Sequence, residues 1–291
     1  MVMVYGLLSG ALYALVAVSF LLPYLATRFF NLSHAALFTC GGYIAFWLLH
    51  ALHWSFVASI ALSCVLCGIL GLLCENVIFR PIRRRTSGGL APLLASLGLY
   101  VLIQNLISIF FGDDTKLMFK NASEPVLRII DTPITKTHLS ILGCTSLSLV
   151  GIWALLSLTR LGKSMVCMAQ NAALAEAVGI KATVVWNWAF FIGSGLCGLA
   201  GILAGTDTAL VPTMGLNVMM MSSIAVILGR KRGVLSVAIS ALLLAFAQRG
   251  GAYMLGAQWQ DAIALVVLMS CILFMELPKH RLENVMGGGD A

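Results

Sequence analysis

A chain of 291 residues that is 60% hydrophobic and 10% charged, with a mean hydropathy of +0.99, lies far from soluble domains, which carry about half apolar and about a quarter charged residues. These values exclude a soluble globular protein and describe a polytopic membrane protein, expected as an all-α helical bundle forming a single transmembrane domain over 1–291. The formal net charge of +7 is a loop bias of the kind membrane topology requires and gives no sign of nucleic-acid binding.

Apolar runs fall at about 4–26, 29–50, 55–79, 90–111, 138–158, 183–204, 214–229, 233–249 and 258–276, each long enough to span the hydrocarbon or nearly so. The first has no basic leader and is longer than a signal-peptide core, so it is expected to stay in the mature chain. It carries Gly6, Gly10 and Ala14 at four-residue spacing, a small-residue stripe of the kind that lets helices in lipid pack closely. The second opens on Asn31-Leu32-Ser33-His34 and contains Gly41-Gly42, where a broken helix is expected to expose backbone to a substrate. In the third, Cys64 and Cys67 form a C-x-x-C without a nearby His pair, which reads as packing. Ser96, Gln104 and Asn105 in the fourth run and Asn217, Ser222 and Ser223 in the seventh are polar residues at membrane depth. Such residues face a bundle interior or an aqueous path.

Between the fifth and sixth runs, 160–181 forms a basic, Ala-rich loop. Ser164 is a candidate N-cap and Gly179 a candidate C-cap for one short helix over 164–178, too polar to enter lipid and too short to cross about 30 Å of hydrocarbon at about 1.5 Å per residue. It is expected to lie on the membrane surface as a docking helix. The sixth run repeats Gly193, Cys197, Gly201 and Gly205 every four residues and places Trp186 and Trp188 where interfacial anchors sit. The seventh and eighth runs, split by Gly229 to Gly233, read either as two crossings or as a re-entrant pair, so eight to ten crossings are expected.

If all nine runs cross, one side collects thirteen Lys and Arg residues (Arg28, Arg80, the Arg83 to Arg85 cluster, Arg160, Lys163, Lys181, Arg230 to Arg232, Lys279 and Arg281) and the other five. The positive-inside rule then puts the N-terminus outside and the docking helix in the cytoplasm. Gly162-Lys163-Ser164 resembles the end of a phosphate-binding loop, but Ser157 stands where its first Gly belongs and no strand precedes it. No H-E-x-x-H, no G-x-S-x-G with a plausible triad and no paired carboxylates within one run appear, so no catalytic site, metal site or cofactor is expected. Asn31-Leu32-Ser33 and Asn121-Ala122-Ser123 match the glycosylation triplet, too short a pattern to carry weight.

Several stretches together resemble the permease subunits of ATP-binding-cassette importers for branched-chain amino acids, with close relatives for urea and short amides. Phe30-Asn31-Leu32-Ser33-His34-Ala35 resembles that family's N-F-A-H-G, and 75–112 its R-P-[LI]-R loop, following span and closing F-G. The segment 160–205 resembles its cytoplasmic coupling loop in Ala169-Gln170-Asn171, Glu176-Ala177, Gly179-Ile180 and Ala200-Gly201. The chain departs from the family at Gly229-Arg230-Lys231-Arg232-Gly233, where a Gly-rich, nearly uncharged loop is usual, and at Ser240 and Ala241.

The resemblance implies a translocation path, for which Asn31, Ser33, His34, Gly41, Gly42, Ser96, Gln104, Asn105 and Asn217 are candidates, in a bacterial inner membrane. It further implies that Ala172, Ala173, Glu176, Ala177 and Gly179 contact a cytoplasmic ATPase, and that the other partners are a second permease, homologous or identical, and a periplasmic solute-binding protein. The rival reading is an ion-coupled secondary transporter or channel, which would need a buried ionisable group in a span; Glu75 and Asp261 both lie near span ends.

Overall fold

The computed structural model describes residues 2–270, except 87, 120–124, 130, 131, 230–232, 260, 261, 264, 265, 267 and 268. The apolar runs become helices α1 (Val2–Thr27), α2 (Ser33–His50), α3 (Phe56–Cys74), α5 (Leu90–Phe111), α6 (Lys136–Leu158), α9 (Ala182–Asp207), α10 (Met214–Gly229) and α11 (Val234–Leu255). Backbone groups in lipid must be satisfied within the segment, which leaves the helix as the form open to a single apolar run. Among the described residues six helical segments are long and apolar enough to cross a membrane, and α10 is a shorter apolar helix. Much of the ninth run, the Asn121 triplet and the Arg230 to Arg232 loop lie outside the described residues. The connection between α5 and α6 carries a short antiparallel hairpin, β1 (Pro125–Ile129) with β2 (Thr132–Thr135).

At the end of α3 the chain passes through a π turn, Glu75–Phe79, into α4 (Arg80–Arg85). In a regular helix, residues eight apart sit about 80° off a common face. The wider π turn removes that offset and brings Glu75 and Arg83 together as an ion pair, with Arg83 Nη1 donating to Glu75 Oε2 at 2.9 Å and Nη2 donating to Oε1.

The core is built where α1, α2 and α9 cross, around residues such as Leu15, Phe20, Leu22, Phe38, Ala189 and Leu203. Close crossing depends on missing side chains. A Cβ on Gly201 would overlap the carbonyl of Phe38, one on Gly193 would press against Ser19 O and Pro23, and Gly6 and Gly10 admit Phe246 and Leu242 of α11. Both small-residue stripes are therefore contact surfaces between helices. Cys67 serves the same end, its side chain lying where a Cβ on Gly198 would sit.

Gly41-Gly42 does not break its helix: α2 runs through both without interruption. These glycines are needed for approach, since a Cβ on Gly41 would overlap the backbone of Gly198 and one on Gly42 would crowd Leu210 at 2.6 Å. The interruptions fall instead before α2 and before α10. His34 Nε2 lies 3.1 Å from Ser19 Oγ, eight residues or about 12 Å short of the end of α1, so residues 28–32 turn back into the bundle before α2 begins. Residues 208–213 do the same from the opposite end: Leu210 exchanges backbone hydrogen bonds with Lys116, and α10 opens against α2, where Gly215 meets Ala35 O.

Candidate functional site

Three features of this bundle stand out: the junction where α2 and α10 begin, the polar positions turned away from the core, and the helical loop at the basic end. At the junction Asn31 Oδ1 accepts from the Ser33 backbone N–H (3.1 Å) and from Ser33 Oγ (2.6 Å), closing the turn that starts α2. Ser19 Oγ donates to Val16 O (2.8 Å), so His34 Nε2 must be the protonated nitrogen that donates to Ser19, leaving His34 Nδ1 a bare acceptor. That atom and Asn31 Nδ2 are buried and have no partner among the described residues. Ser96 Oγ accepts from Leu32 N (3.0 Å) and donates to Leu93 O (2.7 Å), pinning the crossover to α5.

Asn31, Ser33, His34, Gly41, Gly42 and Ser96 are thus buried together around the beginning and middle of α2. Gln104, Asn105 and Asn217 stand apart. Asn105 and Asn217 are exposed and Gln104 is half-buried, on α5 and α10, both of which pack on α2. Asn105 Nδ2 is held by Val101 O (2.7 Å). Ser222 is bound to Tyr13 O and Ser223 to Met220 O, which accounts for both as structural hydrogen bonds.

The loop at the basic end folds as two helices. α7 (Arg160–Gln170) is capped by Thr159, whose Oγ1 accepts from Gly162 N (3.0 Å), and α8 (Ala172–Ala177) by Asn171, whose Oδ1 accepts from Leu174 N (3.0 Å). The single helix expected over 164–178 is split because Asn171 satisfies orphan N–H groups better as a cap than within a helix. Ser164 accordingly caps nothing and bonds back to Arg160 O. Gly179 is left-handed at φ +90° and closes α8 as expected, with Ile180 N donating to Ala175 O. On α8 Ala175 faces inward, while Ala172, Ala173, Glu176 and Ala177 are exposed. So are Leu174 at 64% and Val178 at 73%, an apolar pair whose four-residue spacing is the mark in the sequence that, beside so many alanines, goes unnoticed.

From α8 the chain leads directly into α9, whose Trp186 is drawn into the protein and is not a free interfacial anchor. Its Nε1 donates to Ala26 O (2.9 Å), and the Arg83 guanidinium lies 4.7 Å above its ring and 5.4 Å from that of Phe29. Trp188, half-exposed, keeps the outward position expected of it. Glu75, Arg83, Trp186 and Phe29 therefore clamp the start of α9 to α4 and to the crossover before α2. At the far end His138 Nε2 bonds Asp207 Oδ1 at 2.9 Å while Nδ1 accepts from Thr135 N, tying α6 to the end of α9. Neither tie is marked in the sequence, because each joins residues far apart in the chain or brought into register by the π turn.

A bundle of apolar helices long enough to span lipid, two of which begin inside the bundle, defines the class of polytopic membrane proteins. Residues 2–273 match the family described as "Branched-chain amino acid transport system / permease component", and the chain belongs to that family. It is 26% identical to the high-affinity branched-chain amino acid transport system permease protein BraD of Pseudomonas aeruginosa, over 94% of this chain and 92% of the relative. It is 24% identical to the corresponding LivH of Escherichia coli, over 96% of both. Among solved structures, one titled "PsaBC from Streptococcus pneumoniae in complex with Fab" shares the fold at a TM-score of 0.53 and 12% identity, covering 92% of this chain and 89% of that one.

Proposed function

We propose that this chain moves branched-chain or related small amino acids across a bacterial inner membrane as the passive permease of an importer, with the driving force supplied by a cytoplasmic ATPase that docks on α8. The carrying observation is the shape of α8: a short capped helix that buries Ala175 and presents Leu174 and Val178 to solvent, backed by the exposed Ala172, Ala173, Glu176 and Ala177. Exposed apolar residues on a polar surface loop are surface a partner would cover. The names of the relatives support the substrate class. An ion-driven carrier would need an ionisable group free to exchange its ion, and buried Glu75 is instead held by both guanidinium arms of Arg83.

The path in this reading runs along the outward polar positions of α5 and α10, with Gln104, Asn105 and Asn217 facing it and a second permease closing it. Asn31, Ser33, His34, Gly41, Gly42 and Ser96 support that wall from behind, and the unpaired Asn31 Nδ2 and His34 Nδ1 are atoms that a shifted α2 can satisfy. The thirteen-to-five division of Lys and Arg, with α2 and α10 counted as passes beside the six long segments and the run at 258–276, supports nine crossings, an outer N-terminus and a cytoplasmic α8. A periplasmic solute-binding protein would deliver the substrate to the outer face.

Co-purification tests the docking step. Leu174→Glu combined with Val178→Glu is expected to leave the permease folded and to lower the recovered ATPase at least about tenfold, since each covered aliphatic side chain is worth about 1.5–3 kcal/mol. Undiminished ATPase recovery with that double variant would remove α8 from the interface.

A further inference from the structure

At the basic end of the bundle a cavity of about 530 Å³ opens between the end of α1, the end of α6, α7 and the start of α11. Its polar wall is formed by Tyr24, Arg28, Ser157 and Gln170, and its apolar wall includes Leu21 and Leu156. Trp153 and Val234 belong both to this cavity and to an apolar groove of about 360 Å³ that continues along α6 and α11 past Leu149, Val150, Leu235 and Ala238. The two spaces therefore adjoin at Trp153 and Val234, polar and cationic at the bundle end and apolar toward its middle.

We infer that this composite cleft binds an anionic phospholipid, the headgroup at Arg28 and one acyl chain in the α6–α11 groove. The inference rests on the membrane placement of the bundle but not on which compartment the basic end faces. The groove walls belong to helix faces that no other part of the described chain covers, Trp153 being 54% exposed and Val150 61% exposed. Arg28 supplies the charge: it is exposed, no acidic side chain lines the cavity, and it has no carboxylate partner among the described residues. Its backbone is left-handed at φ +58°, with its N–H bound to Tyr24 O at 2.9 Å. A non-glycine residue held in that region is uncommon and marks a position fixed by its surroundings. A cation fixed at the bundle end, above an apolar slot, matches the headgroup-to-chain order of a phospholipid lying along the helices.

Photoactivatable phosphatidylglycerol and phosphatidylcholine, each with the reactive group on its acyl chain, separate the possible occupants when the full chain is reconstituted in mixed vesicles of the two lipids. Phosphatidylglycerol is expected to label 149–153 and 234–238 about fivefold more than phosphatidylcholine, the ratio that one basic side chain near a lipid surface confers. Arg28→Asn, whose side chain tolerates the left-handed backbone, should erase that preference, and Arg28→Lys should retain it. Val150→Trp should block labelling by both probes, whereas Leu147→Trp, outside the groove on the same helix, should not. Equal labelling by the two lipids, or a preference that survives Arg28→Asn, overturns the proposal. Excess inorganic phosphate abolishing the preference while acyl labelling persists equally for both lipids would assign Arg28 to a free anion, and cross-links from this groove to a second permease in place of lipid would assign it to the dimer.

Discussion

Helices α9 and α6 are nearly equal in length, 26 and 23 residues, and both are apolar, yet they occupy opposite surroundings. On α9 a Cβ at Gly193, Gly198 or Gly201 would collide with α1, α3 or α2, and the second half of the helix is buried almost continuously. On α6 Gly143 and Gly151 have no atom within 4 Å of such a Cβ, and Leu139, Leu147, Val150, Trp153 and Leu158 are exposed. Hydropathy does not distinguish the two. Without a hydrophobic drive between helices in lipid, what places a helix at the centre is how closely its backbone can be approached, and the four-residue glycine spacing of α9 records that requirement.

The largest effect that tests this contrast is expected from Gly201→Leu. The new side chain would occupy the space of the Phe38 carbonyl, where backbone on both sides leaves no room to yield, so a loss of more than about 3 kcal/mol is expected. It should appear as failure to recover monodisperse protein in detergent. Gly143→Leu and Gly151→Leu, made on the open face of α6, should change the melting temperature little, within about 0.5 kcal/mol. Equal losses at the two helices would mean that α6 is also enclosed.

A second contrast sets the basic end of α9 against its far end. Glu75→Gln leaves the Arg83 guanidinium largely buried, its side chain 14% exposed, without a counter-charge, and about 3 kcal/mol should be lost. Replacing both partners, Glu75→Gln with Arg83→Met, should recover much of that loss in thermal denaturation, because the unpaired charge and not the missing bond carries the penalty. Asp207 at the far end is partly solvated, its side chain 24% exposed, so Asp207→Asn should cost no more than about 1 kcal/mol. A double variant at the basic end that stays as unstable as Glu75→Gln would show that the aromatic contacts of Arg83 with Phe29 and Trp186, and not its charge, hold that clamp.

The sequence carried the helices of the first eight apolar runs, the close-packing stripes and the polar loop because each is a local pattern: run length, four-residue spacing, and polar composition with a glycine stop. Of its nine candidate path residues, six lie buried around α2, while Gln104, Asn105 and Asn217 stand apart on α5 and α10. What it misassigned was the physical role of Gly41-Gly42, since glycine weakens a helix in isolation but in lipid is selected for contact, and Gly198 across the crossing cannot be seen from α2 alone. The re-entry of the chain before α2 and α10 was hidden for a related reason. Apolar residues run through both turns, Phe29, Phe30 and Leu32 in the first and Ala209, Leu210 and Val211 in the second, and it takes long-range contacts such as His34 with Ser19, Leu210 with Lys116 and Gly215 with Ala35 to show that the chain turns back into the bundle. The Glu75–Arg83 pair needed the π turn, for which the sequence has no evident mark.

A small expected effect separates the two uses of glycine most cleanly. At Gly179 a Cβ would meet nothing within 4 Å, so the change Gly179→Ala faces no steric obstacle and any penalty comes from the left-handed backbone alone, about 1 kcal/mol. That strain can be relieved by opening the cap, at which Gly179 N donates to Glu176 O and Ile180 N to Ala175 O. The melting temperature should fall slightly while ATPase recovery falls severalfold, because loosening this cap turns Leu174 and Val178 away from a fixed direction without removing either. A loss of stability as large as that of Gly201→Leu would show that Gly179 is packed against a neighbour. Unchanged ATPase recovery at the small stability loss would show that the orientation of α8 is set from its Asn171 end.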